Sequence, residues 1–158
     1  MIVFKGGKRA AKGYRTGLGT SFAKLVSYLE RSPADADRVA WAATRNLDTD
    51  LPDSAARIMT AHAGEAPRVE LPVYHFGLSL DAGEHLSQEQ WEQAIGRVLA
   101  RMGLADHQAL LVAHHDTGKE HVHVVVNRVG DDLRAWKPRL DMKKAREEVR
   151  RLVIGQRA

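Results

Sequence analysis

The feature that most constrains the fold is the stretch HVHVVVN, residues 121–127, where histidine alternates with valine. Successive side chains of a strand point to opposite faces of its sheet. The even-numbered positions are all valine and predict an apolar face that packs on helices. His121 and His123 lie on the other face with Val125 and Asn127, so the strand is predicted to have one core face and one polar working face.

A second strand, ALLVAHHD at 109–116, brings another histidine to the working face. If residues 117 and 118 form a two-residue turn, His114 lies directly opposite His121, and His123 is one diagonal away. Opposed Cβ atoms in such a pair are about 4.5–5.5 Å apart. Three neutral imidazoles on one patch predict a divalent-metal site with open coordination positions.

The turn leaves alternatives open. A bulge would shift the register by one residue, and His115 would then compete with His114 as a ligand. A histidine can also be a hydrogen-bonded core residue without any metal, although three converging on one hairpin are a stronger signal than a single His-x-His pair. Asp116 is close enough in sequence to accept a hydrogen bond from one of the imidazoles.

Charge is concentrated at the two ends of the 158-residue chain. Residues 1–29 carry six Lys or Arg and no acid, and residues 134–158 carry nine against three acids. Residues 30–133 carry nine basic and seventeen acidic side chains. Basic clusters attract phosphate backbones, although solvated basic ends are the ordinary alternative. The absence of cysteine excludes disulfides and thiolate metal sites and favours a reducing compartment.

The rest of the chain alternates predicted strands and helices around this hairpin, as one domain over 1–158. The predicted elements, in order, are a strand at MIVFK, a mobile basic glycine-rich loop at 5–20, a helix from Thr20 or Ser21 to about Arg31, a strand at 38–44, a helix from Pro52 to about His62, a strand at 73–81, a helix from the Ser87 and Gln90 capping box to Met102, the two hairpin strands, and a basic helix from Asp141. The tight turn between the last two strands favours antiparallel pairing and the α+β class.

A metal beside a phosphodiester requires a nucleophile, and the chain offers three tyrosines besides serine and water. Tyr28 lies about 110° from the centre of the apolar face of its helix, at the flank between core and solvent. By spacing alone, packing at the core edge is the better interpretation of Tyr28. For Tyr14, in the glycine-rich loop, base stacking or disorder is the simpler interpretation, and for Tyr74, in a strand, it is packing.

Three motifs together resemble those of plasmid mobilisation relaxases, members of the His-hydrophobic-His endonuclease superfamily. HHDTGKEHVHVVVN at 114–127 resembles their third motif, and SFAKLVSYLE at 21–30 resembles the first, a helix that carries the nucleophilic tyrosine. YHFGLSLDAGE at 74–84 resembles the second, whose serine contacts DNA beside the cut. The motifs occur in the family's order over roughly Ser21 to Asn127. The resemblance implies an antiparallel sheet of about five strands flanked by helices.

The resemblance also implies a reaction and the residues that perform it. Tyr28 would attack a phosphodiester at the nick site of a transfer origin, leaving a 5′-phosphotyrosine link and a free 3′-hydroxyl. His114, His121 and His123 would hold Mg²⁺ or Mn²⁺ against the scissile phosphate. Asp116 would support a ligand histidine.

The implied substrate is single-stranded or locally melted transfer-origin DNA in the bacterial cytoplasm, with accessory relaxosome proteins and a coupling protein as partners. Ser79 would bind this DNA near the cut. The basic loop and the basic C-terminal part would line the path of the DNA, although Trp136 could instead pack the sheet edge. The expected contacts outside the motifs are Lys8, Arg9, Lys12, Arg15, Trp136 and Lys137.

Two features depart from the family pattern. Many relatives have proline before the His-x-His pair, where this chain has Glu120, an acid that would tune metal affinity or face solvent. Relatives are usually much longer, so the chain is either a nuclease-domain fragment or a small stand-alone enzyme. The alternative functions are a rolling-circle replication initiator or transposase of the same superfamily, and a non-catalytic module that binds single-stranded DNA and has structural histidines.

Overall fold

The chain folds into one antiparallel sheet with helices on both faces. In the computed structural model, residues 3–6, 17–31, 38–115 and 118–137 are described, the first of these ranges by its backbone alone. The elements, in chain order, are β1 Val3–Gly6, β2 Leu18–Gly19, α1 Phe22–Glu30, β3 Val39–Arg45, α2 Pro52–Gly64, β4 Val73–Ser79, α3 Gln88–Arg101, β5 Ala109–His114 and β6 His121–Asn127. No helix in the described part of the chain is long and apolar enough to cross a membrane.

The sheet has the strand order β1-β4-β6-β5-β3, and every pairing in it is antiparallel. The short β2 pairs with the same edge of β4 as β1 does, further along the strand. β6 therefore lies in the middle of the sheet, with β4 on one side and the hairpin partner β5 on the other. The predicted α+β class and the antiparallel sheet of about five strands are confirmed.

Helix ends lie close to where the capping residues predict them. The Ser21 hydroxyl accepts a hydrogen bond from the Lys24 N–H and begins α1. Ser87 and Gln90 form the predicted reciprocal capping box of α3, which ends just before Gly103, where φ is +80°. Helix α2 begins at Pro52 as predicted and continues to Gly64, two residues beyond His62.

The two faces of the sheet carry separate cores. Helix α3 packs on the face that bears the even-numbered valines of β6, as predicted. Helices α1 and α2 cover part of the other face, the one that bears the histidines. The prediction of a polar working face is therefore wrong for Val125 and Asn127. Val125 lies in the core, and Asn127 is buried with its side chain hydrogen-bonded to Met59 O, Gln108 Oε1 and Val129 N. Only the end of this face that carries the histidines stays a candidate working surface.

The predicted loop at 5–20 contains a short strand that the sequence pattern does not predict. Leu18 and Gly19 pair with Tyr74 and Val73, and Gly17, at φ +77°, is so close to the His75 carbonyl that a Cβ there would collide with it. A two-residue strand has no alternation to detect, which is why the pattern predicts only a loop. The start of the predicted loop, residues 5 and 6, belongs to β1. Residues 7–16 of that loop and the helix predicted from Asp141 lie outside the described residues.

Candidate functional site

The histidines meet because β5 and β6 pair in the register that a two-residue turn at 117–118 would produce. His114 is the partner of His121, and Val112 is the partner of His123. The distance between ring centroids is 4.6 Å for the pair His114 and His123, 5.1 Å for His114 and His121, and 5.2 Å for His121 and His123. One nitrogen from each ring lies within 4.8 Å of the others, so the rings form a histidine cluster.

The alternative register is wrong. His115 is exposed and lies outside the histidine cluster, and its backbone N–H donates to the Arg38 carbonyl at 3.2 Å. His114 is fully buried, whereas His121 and His123 are partly exposed. The cluster is thus anchored at one end in the core and open at the other.

Backbone carbonyls set the tautomers of two of these histidines. The Nε2–H of His114 donates to the Leu29 carbonyl at 2.7 Å, and the Nδ1–H of His121 donates to the Lys119 carbonyl at 3.0 Å. A carbonyl can only accept, so the nitrogen facing it carries the proton and the other nitrogen of a neutral ring carries the lone pair. The lone pairs are therefore on Nδ1 of His114 and Nε2 of His121, as in a metal-binding histidine held by an outer partner.

His123 completes the set. Its Nε2 is buried and has no hydrogen-bond partner among the described residues, and its Nδ1 lies 2.9 Å from Nε2 of His75. Burial, with the nearby His75 and His114, lowers the pKa of His123 to about 2. The ring is thus neutral at pH 7, the form that binds a metal. A buried polar atom without a partner calls for an explanation, and a cation shared with two neighbouring lone pairs supplies one. The histidine cluster fits a divalent metal ion.

His75 is a part of the site that the sequence interpretation missed. It lies on β4, on the same face as Ser79, and its ring centroid is 5.1 Å from that of His123. Burial, together with the neighbouring His114, lowers the pKa of His75 to about 4. The alternation of YHFGLS already puts residue 75 on one face with 77 and 79, but only the pairing of β4 with β6 brings that face to the histidine cluster.

Tyr28 is accessible and lies on a helix that contacts the histidine cluster. Its side chain is 57 % exposed, in agreement with a flank position on α1. The next residue, Leu29, provides the carbonyl that holds His114. The guanidinium carbon of Arg38 lies 5.6 Å from the centroid of the Tyr28 ring, within cation–π distance. Arg38 also contributes to the lowered pKa of His123, so its charge acts on both groups.

The other tyrosines are accounted for differently. Tyr74 is fully buried, and its ring packs against Phe76 and Trp136 at 5.6 and 4.8 Å between centroids, which confirms the packing interpretation. Tyr14 lies outside the described residues, as does Asp116. Tyr28 is therefore the exposed tyrosine of the described part of the chain.

Ser79 lies beside the histidine cluster, at the end of β4, as the cross-strand partner of His121. It is buried, and its hydroxyl donates to the Leu80 carbonyl at 3.3 Å. A DNA contact from Ser79 stays a prediction, one that requires this hydroxyl to turn from Leu80 towards the substrate.

Trp136 shows the contacts of the packing alternative. Its indole N–H donates to the Met102 carbonyl at 2.8 Å, and its ring packs on Tyr74, in the core beneath α3. That core is on the opposite face of the sheet from the histidine cluster, so Trp136 is not placed to stack a base at the cut. Lys137 is exposed. The remaining predicted DNA contacts, Lys8, Arg9, Lys12 and Arg15, lie outside the described residues.

Glu120 neither faces the histidine cluster nor points into solvent. Its carboxylate accepts hydrogen bonds from the Trp91 indole N–H and from the Leu86 N–H at 3.2 Å, and it lies 2.6 Å from Nδ1 of His85. Its own carbonyl accepts from the Leu80 N–H at 2.9 Å. The residue before the His-x-His pair therefore ties the hairpin to the chain that leads from β4 into α3.

This tie predicts a stability effect. Glu120→Ala leaves the fully buried Trp91 indole N–H without its acceptor, so we expect a loss of about 1–3 kcal/mol in the free energy of unfolding. Urea titration measures this loss, with Glu70→Ala, an exposed glutamate, as the control. A Glu120→Ala protein as stable as the parent would show that the carboxylate contributes nothing to the hairpin's anchoring.

Comparison with known proteins agrees with this geometry. A family model described as the nuclease domain of MobA/VirD2-like relaxases matches residues 28–156, which include Tyr28, β4 and the histidine hairpin. The chain belongs to this relaxase family. The family membership predicted from the three motifs is confirmed.

The relaxase covers a small part of each relative. It is 29% identical to protein TraI of Escherichia coli over 111 residues, which are 70% of this chain and 15% of that protein. It is 39% identical to protein MobA of Acidithiobacillus ferrooxidans over 71 residues, or 45% of this chain and 17% of that protein. A second protein TraI of Escherichia coli is 25% identical over 115 residues, which are 71% of this chain and 15% of that protein. The relaxase thus spans 15–17% of the length of these curated relatives.

Proposed function

We propose that this relaxase nicks one strand of DNA at a plasmid transfer origin by transesterification onto Tyr28, with a divalent cation held by His114, His121 and His123. The observation that carries the proposal is the convergence of three imidazoles on one patch, next to the helix that presents an exposed tyrosine. The family match supports the same chemistry.

The donor set bears on the choice of metal. Three imidazole nitrogens suit a first-row transition metal, whereas Mg²⁺ prefers oxygen ligands. Of the two ions that the resemblance implies, we therefore propose Mn²⁺ as the better fit to the described ligands. When bound, the cation would polarise a non-bridging oxygen of the scissile phosphate.

The chain's own residues would perform the remaining steps. The phenol oxygen of Tyr28 attacks the phosphorus as its proton passes to water, and the bond from phosphorus to the 3′-oxygen breaks. The leaving 3′-oxygen takes up a proton from water and departs as a hydroxyl, so the step transfers one proton overall from the phenol to the 3′-oxygen. The phosphotyrosine diester retains the energy of the bond that was cut, so a later 3′-hydroxyl can reverse the step and reseal the strand. Arg38, beside the Tyr28 ring, places positive charge where the negatively charged phosphate would arrive.

The substrate would be single-stranded or locally melted DNA, since the phosphodiester must reach both the tyrosine and the histidine cluster. We propose that the relaxase works in the bacterial cytoplasm with accessory relaxosome proteins and a coupling protein. A replication initiator or transposase would use the same chemistry on different DNA, and the family match favours the transfer origin. A non-catalytic module gives no reason for a buried His123 Nε2 that has no hydrogen-bond partner among the described residues.

The test is a covalent adduct. Oligonucleotides tiled across the DNA that flanks the gene are incubated with the protein and Mn²⁺, then run on a denaturing gel. We expect a 3′-labelled strand to migrate with the protein, because the tyrosine keeps the 5′-phosphate of the downstream fragment. A 5′-labelled strand should instead be released as a shorter fragment ending in a 3′-hydroxyl. Absence of any adduct across the tiled region would reject the proposed function.

A further inference from the structure

We infer that His75 is a positioning residue that selects the tautomer of His123, so that Nε2 of His123 presents its lone pair to the metal. The inference rests on the proposed function, because it concerns the same histidine cluster. It assigns a fourth histidine, from a different strand, to a role that no motif spacing indicates.

The contact between the two rings follows from the register of β4 and β6. Val125 is the direct partner of His75, and Gly77 is the direct partner of His123. Since Gly77 has no side chain, the His75 ring can lean along the sheet into the diagonal position. Its Nε2 reaches to 2.9 Å from Nδ1 of His123, with the two rings tilted by 35°.

His75 is itself held in place from the far side. Its backbone N–H donates to the Gly17 carbonyl at 2.8 Å, and its neighbour Tyr74 is fully buried in the core under α3. A residue that positions a metal ligand works best on a rigid element, and His75 is in the interior of a strand paired on both edges.

The position of one proton decides whether His123 can bind a metal. A single hydrogen lies between the two nitrogens. If His75 donates it, the proton of neutral His123 is on Nε2, and that nitrogen cannot act as a ligand. If His123 donates from Nδ1, the Nε2 lone pair is exposed to the cluster, and His75 accepts while keeping its own proton on Nδ1.

His75 differs in this respect from the other outer partners. The carbonyls of Leu29 and Lys119 can only accept, so each of these hydrogen bonds favours the ligating tautomer of His114 or His121. An imidazole can donate or accept. The apo protein is therefore divided between a competent and an incompetent state of His123, and metal binding draws it into the competent one.

The experiment measures Mn²⁺ affinity by calorimetry, without DNA, for the parent and three variants. His75→Phe keeps the size of the ring but removes the acceptor, and we expect the Kd to rise 10–100-fold, the usual range for an outer partner of a metal-binding histidine. His75→Gln restores an amide oxygen that can accept, and we expect its Kd within about threefold of the parent. His115→Gln, an exposed histidine outside the cluster, is the matched control and should leave the Kd unchanged.

A spectroscopic readout separates positioning from folding. In ¹⁵N-labelled protein with Zn²⁺ as a diamagnetic probe, His123 should carry its proton on Nδ1 and bind through Nε2, and without metal both tautomers should be present. Metal bound through Nδ1, or a Kd within about threefold of the parent in a folded His75→Phe protein, would overturn the inference. If that variant does not fold, the parent spectrum and His75→Gln decide. The protein could bind Mn²⁺ with an affinity that depends on His75 and yet form no DNA adduct. That result would support this inference and reject the proposed function.

Discussion

Tyr28→Phe is expected to eliminate the covalent DNA adduct and to lower cleavage of the origin strand by at least about 10³-fold, as for removal of an essential nucleophile. The phenol oxygen is the atom that would form the new bond to phosphorus, and no other described tyrosine is exposed. The substitution keeps the ring and with it the contact to Arg38. Because the side chain is 57 % exposed, stability should change by less than about 0.5 kcal/mol.

The controls for this variant come from the same fold. Binding of the labelled strand, measured by fluorescence anisotropy, should be unchanged in Tyr28→Phe, because the DNA contacts remain. Tyr74→Phe removes a hydroxyl from the opposite face of the sheet and should retain the adduct. Full adduct formation by Tyr28→Phe would place the nucleophile elsewhere in the chain.

His121→Ala is expected to lower Mn²⁺-dependent cleavage to the level that the parent shows in excess EDTA, a loss of at least about 10²-fold. The affinity for Mn²⁺ should also fall by more than roughly 100-fold, which is the largest loss usually seen when a residue that only positions a metal ligand is removed. His121 is the better choice for this test because it is partly exposed and its hydrogen bond to Lys119 is local. His114→Ala would also break the bond that holds α1 at Leu29, and a folding defect would obscure the result.

The matched control for His121→Ala is His115→Ala. That histidine is only six residues away in sequence, yet it lies outside the histidine cluster, so cleavage and Mn²⁺ affinity should both be retained. Cleavage by His121→Ala equal to that of the parent, or parent cleavage that persists in excess EDTA, would show that the histidine cluster does not supply a catalytic metal.

Local sequence patterns determined a large part of this fold. The alternation in β6 identified the strand and its core face, and a two-residue turn predicted the register that pairs His114 with His121. Capping residues placed the starts of α1 and α3. These predictions succeeded because strand alternation, turn length and helix caps are each decided within a few residues of chain.

The tertiary structure alone decided what lies next to the hairpin. β4 is more than forty residues before β6 in the chain, and no periodicity indicates that these two strands pair. That pairing brings His75 to His123, and the packing of α1 and α2 buries Asn127 and His114 while leaving His121 and His123 partly exposed. Alternation assigns a side chain to a face, but the order of strands and the position of helices over that face depend on contacts between distant segments. The sequence by itself therefore determined the three histidines and their register, and the packed sheet decided which other side chains surround them.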